Sequence, residues 1–223
     1  MLVVEGLEVE RNGFRLNVDR FVSSKITIIL GRNGTGKTTL LKTVAGFIKP
    51  RKGVIRLNGR DITNLPPSER RIGYMPQQPI KLPYKPRDAI QYFAKIFRAD
   101  PQPVIEKMRL EPILRKEKLS TGEAQILALS ILLLRKTELL LLDEPTSSLD
   151  FPNSVNFWSL IRSLNIPMVY VTHNPVEAAA VGDEVYVVED GVLRGPFENK
   201  LRSKAEELVE TLNLYKNRVW VLE

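Results

Sequence analysis

Apolar positions follow two different periods along the chain. Leu2-Val3-Val4, Leu7-Glu8-Val9 and Phe14-Arg15-Leu16-Asn17-Val18 read as paired strands, with the hairpin turn signal Asn12-Gly13 before the last. Gly53-Val54-Ile55-Arg56-Leu57-Asn58-Gly59 reads as a further strand with its turn, and together these predict an N-terminal antiparallel β layer. Prolines crowd the stretch from Leu65 to Pro86. Pro66-Pro67 and Pro76-Gln77-Gln78-Pro79 suit neither a long helix nor a central strand, so a crossing loop into a separate lobe is expected. Helical spacing then takes over: Ala89, Ile90, Phe93, Ala94 and Phe97 predict a helix over Arg87–Phe97, and Pro103–Leu114 gives one or two shorter ones. A long apolar helix is expected from Ser120 to about Arg135.

The second half alternates strand and helix. Leu139-Leu140-Leu141-Leu142 is a buried strand running into Asp143-Glu144-Pro145. A helix over Asn153–Leu164, a strand over Met168–Thr172, a short helix from Pro175 and a strand over Glu184–Glu189 ending at Asp190-Gly191 follow. From Glu198 the chain is charged and helically spaced through Leu201, Ala205, Leu208 and Leu212, and Arg218-Val219-Trp220-Val221-Leu222 ends it. Strands alternating with helices predict an α/β fold, a mainly parallel sheet covered on both faces. No internal repeat or low-complexity tract interrupts it.

One stretch carries chemistry outright. Gly31-Arg32-Asn33-Gly34-Thr35-Gly36-Lys37-Thr38 fits the phosphate-cradling P-loop pattern. The β-branched run Ile26–Leu30 precedes it, and Thr39–Ala45 reads as a helix closed by Gly46, which is the context the motif needs. The glycines let the backbone wrap a phosphate with N–H groups pointing inward at a helix N-terminus. Lys37 would reach the β- and γ-phosphates and the Thr38 hydroxyl would ligate Mg2+. A nucleotide site is expected here.

Composition narrows the rest. The 223 residues suffice for one α/β domain with a smaller insertion. The longest apolar stretch, Ile126–Leu134, is well short of the ~20 residues of a membrane span. Met1–Glu5 lacks a signal peptide's basic start, so a cytosolic protein that does not itself enter a bilayer is expected. The absence of cysteine excludes disulfides and thiolate chemistry, and the single His173 excludes multi-histidine metal centres. The net charge of +7 is dispersed, its densest clusters (Lys49-Pro50-Arg51-Lys52, Arg70-Arg71) are short, and no direct nucleic-acid binding is expected.

Two further stretches admit both plain and functional readings. Asp143-Glu144 sits at the C-terminal edge of a buried strand, where ligands bind in open α/β sheets. An aspartate there can hold Mg2+ and the next glutamate can orient or deprotonate a water aimed at the γ-phosphate; alternatively both are solvated carboxylates in a turn. Leu119-Ser120-Thr121-Gly122-Glu123 suits a helix N-cap, and the same helix N-terminus can face an anion.

In order along the chain, the P-loop, Gly73-Tyr74-Met75-Pro76-Gln77, Leu119–Glu123, Leu139–Pro145, Ser148-Leu149-Asp150 and Thr172-His173 resemble the motifs of the ATP-binding-cassette ATPases, up to about residue 195. The resemblance implies a P-loop NTPase, RecA-like core with the antiparallel layer over 1–78 and 136–223, an inserted small α-helical signature subdomain over 79–135, and a short C-terminal extension over about 196–223. It implies that Gly31, Asn33, Gly34, Thr35, Gly36, Lys37, Thr38 and Thr39 bind ATP, with Thr38, Asp143 and Gln77 toward Mg2+. Glu144 is then the catalytic base, Gln77 (rather than Gln78) the glutamine that links the ATP core to the helical lobe, and His173 a γ-phosphate switch. Ser120 and Gly122 belong to the signature motif and Asp150 to the D-loop, both facing the ATP held by a second copy in a head-to-tail dimer. Three positions depart from the family pattern. Thr121 replaces a second signature glycine, Ile126 stands where arginine is common, and Arg11 lies near the usual place of an adenine-stacking aromatic, with Phe14 the nearest aromatic.

A single cassette without membrane helices resembles the ATPase subunit of a multi-subunit transporter. Such a subunit lies on the cytoplasmic side, peripheral to the inner face of the cell membrane, bound to integral membrane subunits, in systems that include a substrate-binding protein where they import. Asn58–Ile62 and Pro66–Tyr74 resemble importer ATPases for oxyanions, polyamines and sugars. An exporter ATPase, a soluble cassette ATPase acting on a protein or nucleic-acid assembly, and an ATP-binding scaffold that hydrolyses little are the alternatives.

Overall fold

The computed structural model describes residues 1–11, 13–78, 83–200 and 203–204. Asn12, Pro79, the residues expected to continue the C-terminal helix (Leu201, Ala205, Leu208, Leu212) and the terminal Arg218–Leu222 lie outside the described residues.

The chain begins with two ten-residue strands, β1 (Leu2–Arg11) and β2 (Phe14–Ser23), paired antiparallel across the expected hairpin. β1 is one strand rather than two. It runs through Gly6, whose φ of +59° marks a bulge where the register to the next strand shifts. That strand is β4 (Lys52–Leu57), which turns back through left-handed Asn58 and Gly59 into β5 (Arg60–Asp61). The second strand type is parallel: β3 (Ile26–Leu30), β6 (Ile72–Met75), β7 (Leu139–Asp143) and β8 (Met168–Thr172), with β9 (Glu184–Glu189) beside β3.

Besides the two-residue β5, two strands were not expected. β6 lies inside the proline-rich stretch, and among the described residues its four residues pair only with β7, at the sheet edge where flanking prolines do no harm. β10 (Val192–Glu198) pairs antiparallel with β9 and touches β2 in parallel at Val192 and Asn17. It therefore joins the antiparallel layer to the parallel strands as one ten-stranded sheet, in the order β5-β4-β1-β2-β10-β9-β3-β8-β7-β6.

Alternation in the parallel strands explains where the helices sit. Leu139 and Leu141 of β7 and Val169 and Val171 of β8 join one core, with β1, β2, β4 and the helix α1 (Lys37–Ala45). Leu140, Leu142, Met168 and Tyr170 join the other, with α2 (Pro86–Phe97), α3 (Gln102–Lys107), α4 (Glu111–Leu114), α5 (Thr121–Leu134), α6 (Phe151–Arg162) and α7 (Pro175–Val181). The sheet therefore wraps around α1 and carries the remaining helices on its other side. Four of those, α2 to α5, lie between β6 and β7 in sequence.

The wrapped helix is closed by an unusual cap. Gly46 ends α1 at φ +90°, and the buried Arg70 (3% exposed) donates to Thr43 O and Val44 O at the end of that helix and to Leu65 O and Thr63 O in the preceding loop. A Cβ on Gly46 would lie 2.5 Å from the Arg70 Nε. One guanidinium thus satisfies carbonyls that a helix end leaves without partners. Replacing it with the apolar Arg70→Met leaves buried acceptors unpaired, and a loss of roughly 3 kcal/mol is expected. Chemical denaturation would show it as a lower midpoint at unchanged slope; a midpoint within error of wild type would contradict the role given to Arg70.

Candidate functional site

The P-loop leaves β3 at Leu30 and enters α1 at Lys37, so its backbone N–H groups gather at a helix N-terminus. Gly34 and Gly36 have φ of +84° and +103°. Gly36 is constrained a second way, since a Cβ there would sit 2.8 Å from the Phe14 ring. The Lys37 ammonium donates to Gly31 O and Arg32 O at 2.8 Å, and Thr35 Oγ1 donates to Arg32 O.

The end of β7 faces this loop. Asp143 is buried and accepts from Thr38 Oγ1 at 3.0 Å and from the Tyr74 hydroxyl at 3.1 Å. Burial pushes its carboxyl up from the usual range, and the two hydroxyls oppose that shift by stabilising the anion. Burial, and then the charge of Asp143, push the Tyr74 phenol up in turn, which keeps it a proton donor. Tyr74 had no role in the sequence-based expectation; it lies three residues before Gln77, on the unexpected strand β6.

Glu144 follows with a left-handed backbone, φ +45°, its N–H donating to Val171 O at 3.0 Å. Its carboxylate meets three side chains drawn from three elements. Lys37 Nζ lies 3.5 Å from Oε1, while Gln77 Nε2 donates to Oε2 at 3.3 Å and His173 Nδ1 lies 3.1 Å from the same oxygen. The Glu144 and Lys37 side chains are nearly buried and that of His173 is half exposed.

A cleft of about 470 Å3 runs along this row, lined by Arg11, Phe14, Asn33, Gly34, Gly36, Lys37, Thr38, Thr39, Gln77 and Glu144. Ser120, Gly122 and Asp150 do not line it. Ser120 caps α5 in a reciprocal capping box with Glu123, whose carboxylate also pairs with Lys116, and Asp150 caps α6 through Asn153 N. Gly122 lies against Asn153 and Leu149, so these three residues share the paired N-termini of α5 and α6. Thr121 opens α5 without a positive φ, so its Cβ is accommodated by ordinary helical backbone.

A model of the family described as ABC transporter matches residues 17–147, more than half of the chain. The chain belongs to the ABC transporter family. The molybdate/tungstate import ATP-binding protein WtpC of Archaeoglobus fulgidus is 34% identical over 220 residues, covering 92% of each chain. The corresponding WtpC of Methanocaldococcus jannaschii is 35% identical over 86% of this chain and 69% of its own length. The molybdenum import ATP-binding protein ModC of Salmonella typhi is 41% identical over 79% of this chain, which spans about half (54%) of that relative. The solved ATP-binding cassette of an ABC transporter in its ADP conformation shares the fold at a TM-score of 0.78, with 21% identity over 93% of this chain and 97% of that one. The α/β fold and the ATP-binding character expected from the sequence therefore both hold for this ABC chain.

The left-handed Glu144 makes a prediction of its own. A residue with a Cβ is strained at such a φ and glycine is not. Glu144→Gly is expected to be more stable than Glu144→Ala by about 1 kcal/mol, despite glycine's larger entropy when unfolded. Thermal or chemical unfolding of the pair decides it, and an alanine variant equal to or more stable than the glycine one would remove the strain from this corner.

Proposed function

We propose that this chain is the ATP-hydrolysing subunit of an importer and that its site residues act as follows. The observation that carries the reading is the convergence of Lys37, Gln77 and His173 on the Glu144 carboxylate at the floor of the P-loop cleft. Backbone N–H groups of Gly34 to Thr39 and the Lys37 ammonium hold the phosphates, and Arg11 and Phe14 flank the base. An incoming triphosphate competes with Glu144 for Lys37, leaving the carboxylate to Gln77 and His173. Glu144 then takes a proton from a water as that water attacks the γ-phosphorus, and ADP and phosphate leave. His173 steadies both Glu144 and the γ-phosphate.

The donors near Asp143 fit Mg2+. The described residues contain no group of three or more acidic, histidine or cysteine side chains that would form an all-protein metal cage. Instead Thr38 and Asp143 place two oxygen donors side by side, with Gln77 lining the same cleft as Thr38, and a small hard cation would complete such a set with water and phosphate oxygens. Bound there, Mg2+ would supply positive charge against the phosphates. Tyr74 orients Asp143, so Tyr74→Phe is expected to raise the Mg2+ concentration for half-maximal hydrolysis roughly 10-fold. A Mg2+ titration that superimposes on wild type would refute that role.

Gly122 supports a second copy as the other half of the site. Its φ is not positive, and a Cβ there would make only ordinary 3.7 Å contacts within its own chain, so nothing among the described residues calls for glycine. A phosphate approaching from a partner, with Ser120 at the N-terminus of α5 and Asp150 beside it, does call for one. ATP would thus join two copies head to tail, and hydrolysis would release them. The helical subdomain over 79–135 and the extension over about 196–223 remain part of this reading, as does docking on integral membrane subunits at the inner face of the membrane, with a substrate-binding protein completing the system. Among the described residues no helix is long and apolar enough to cross a membrane. The names of the relatives point to molybdate or tungstate as cargo.

Glu144→Gln tests the core of the proposal. Removing the base is expected to lower ATP hydrolysis by a factor of about 100 or more while ATP still binds. The same variant should dimerise on adding ATP, as seen by light scattering. Unchanged hydrolysis would remove Glu144 from the reaction, and a monomer at saturating ATP would sink the dimer.

A further inference from the structure

Behind Glu144 and His173 lies a second carboxylate, Glu177 of α7, only 4% exposed. Its Oε1 accepts from Thr146 Oγ1, the Tyr170 hydroxyl and, at 2.9 Å, Trp158 Nε1; its Oε2 accepts from Thr172 Oγ1. All four donors are neutral, and they come from the loop after β7, from α6 and from β8. We propose that Glu177 is a positioning residue, which holds the two loops carrying Glu144 and His173 in register through this one carboxylate. The inference rests on the roles proposed above for those two side chains.

The connections are short on both sides. Thr146 lies two residues after Glu144, and the turn between them is closed by Ser147 N donating to Glu144 O and Leu149 N to Thr146 O. Thr172 immediately precedes His173, and its hydroxyl, while donating to Glu177, accepts from Asn174 N at 3.0 Å on the far side of the histidine. Asn174 in turn caps α7, the helix that bears Glu177, through Val176 N and Glu177 N. His173 is therefore the middle residue of a segment whose two ends are both tied to Glu177. The two tethered loops meet where His173 Nδ1 lies 3.1 Å from Glu144 Oε2. A carboxylate that accepts four directional bonds fixes angles that apolar packing leaves free.

Two substitutions dissect the arrangement. Glu177→Gln keeps the volume, and its amide oxygen can still serve the three donors at Oε1. Its NH2, however, faces the Thr172 hydroxyl, whose O–H thereby loses the carboxylate oxygen it donates to, so the His173 side is the one disturbed. Thr172→Val removes the same link from the other partner, and Thr172→Ser restores it. The full 223-residue chain suits a spectroscopic test, because His173 is its only histidine and its imidazole signals need no assignment.

The expected result has two readouts. With Glu177→Gln and Thr172→Val, kcat for MgATP hydrolysis falls about tenfold or more while the KM for ATP stays within about twofold, and the imidazole signals of His173 shift or broaden; Thr172→Ser matches wild type in both. Wild-type kcat in folded Glu177→Gln and Thr172→Val overturns the inference. So do unmoved imidazole signals, or a loss of kcat that comes with an equal change in KM and a lost thermal transition in both variants. Should Glu177→Gln fail to fold, Thr172→Val and Thr172→Ser decide alone. If the wild-type chain hydrolyses no ATP, the proposed function fails by itself; the imidazole signals then decide whether Glu177 positions His173.

Discussion

Two adjacent residues at the end of β7 must aim their carboxylates in different directions, and much of the molecule follows from how that is done. Along a strand, neighbours point to opposite faces, so Asp143 continues the row of Leu139 and Leu141 toward α1 and meets Thr38. Glu144 leaves the strand with a left-handed backbone, pinned by its N–H to Val171 O on the neighbouring strand. That turn brings its side chain to Lys37, Gln77 and His173 instead of burying it among the helices packed on Leu140 and Leu142. Strain of this kind persists only where surrounding structure over-determines it. Here the surroundings are two fully buried parallel strands, β7 and β8, with burial on both faces.

The same demand explains why the sheet closes around α1. A P-loop needs its helix N-terminus aimed at the phosphates, and a nine-residue helix has too little length to hold itself in place. α1 is gripped from the parallel strands on one side and from β1, β2 and β4 on the other, and Arg70 fixes its far end. β10 is the connection that makes this grip possible, since among the described strands it alone pairs with both β2 and β9. The antiparallel strands thereby serve the site twice, by packing on α1 and by carrying Phe14 against Gly36.

Signals confined to a few consecutive residues were the ones legible in the sequence. The P-loop announces itself through glycines whose positive φ and close contacts admit little else, and β7 through an unbroken apolar run into two acids. Elements defined by distant partners were harder to see. β6 has four residues between proline-rich flanks, and only its pairing with β7 makes it a strand. β10 is largely exposed, contains Gly195 and Pro196 at a register shift, and shows no alternation to betray it. Tyr74 was in plain view within Gly73–Gln77, yet its meaning depends on Asp143, 69 positions away. Ser120 bears out the plain N-cap reading in full, which leaves its functional reading to residues outside this chain.

Glu177 shows the limit most clearly. On a short helix a glutamate beside three alanines reads as a solvated side chain, because charged residues are rarely buried whole. Its donors, Thr146, Trp158, Tyr170 and Thr172, are ordinary core or loop residues taken singly, and they are spread over a loop, a helix and a strand. An apolar residue of the same size would fill the space and tends to be at least as stable as a buried charge. What it lacks is direction. Leucine or methionine contacts tolerate a slide of a few tenths of an ångström between the loops, whereas hydroxyl and indole donors aimed at two carboxylate oxygens do not. A site whose Glu144 and His173 are contributed by separate loops gains from that intolerance, since the 3.1 Å contact between them is set by how the loops lie and not by the side chains alone.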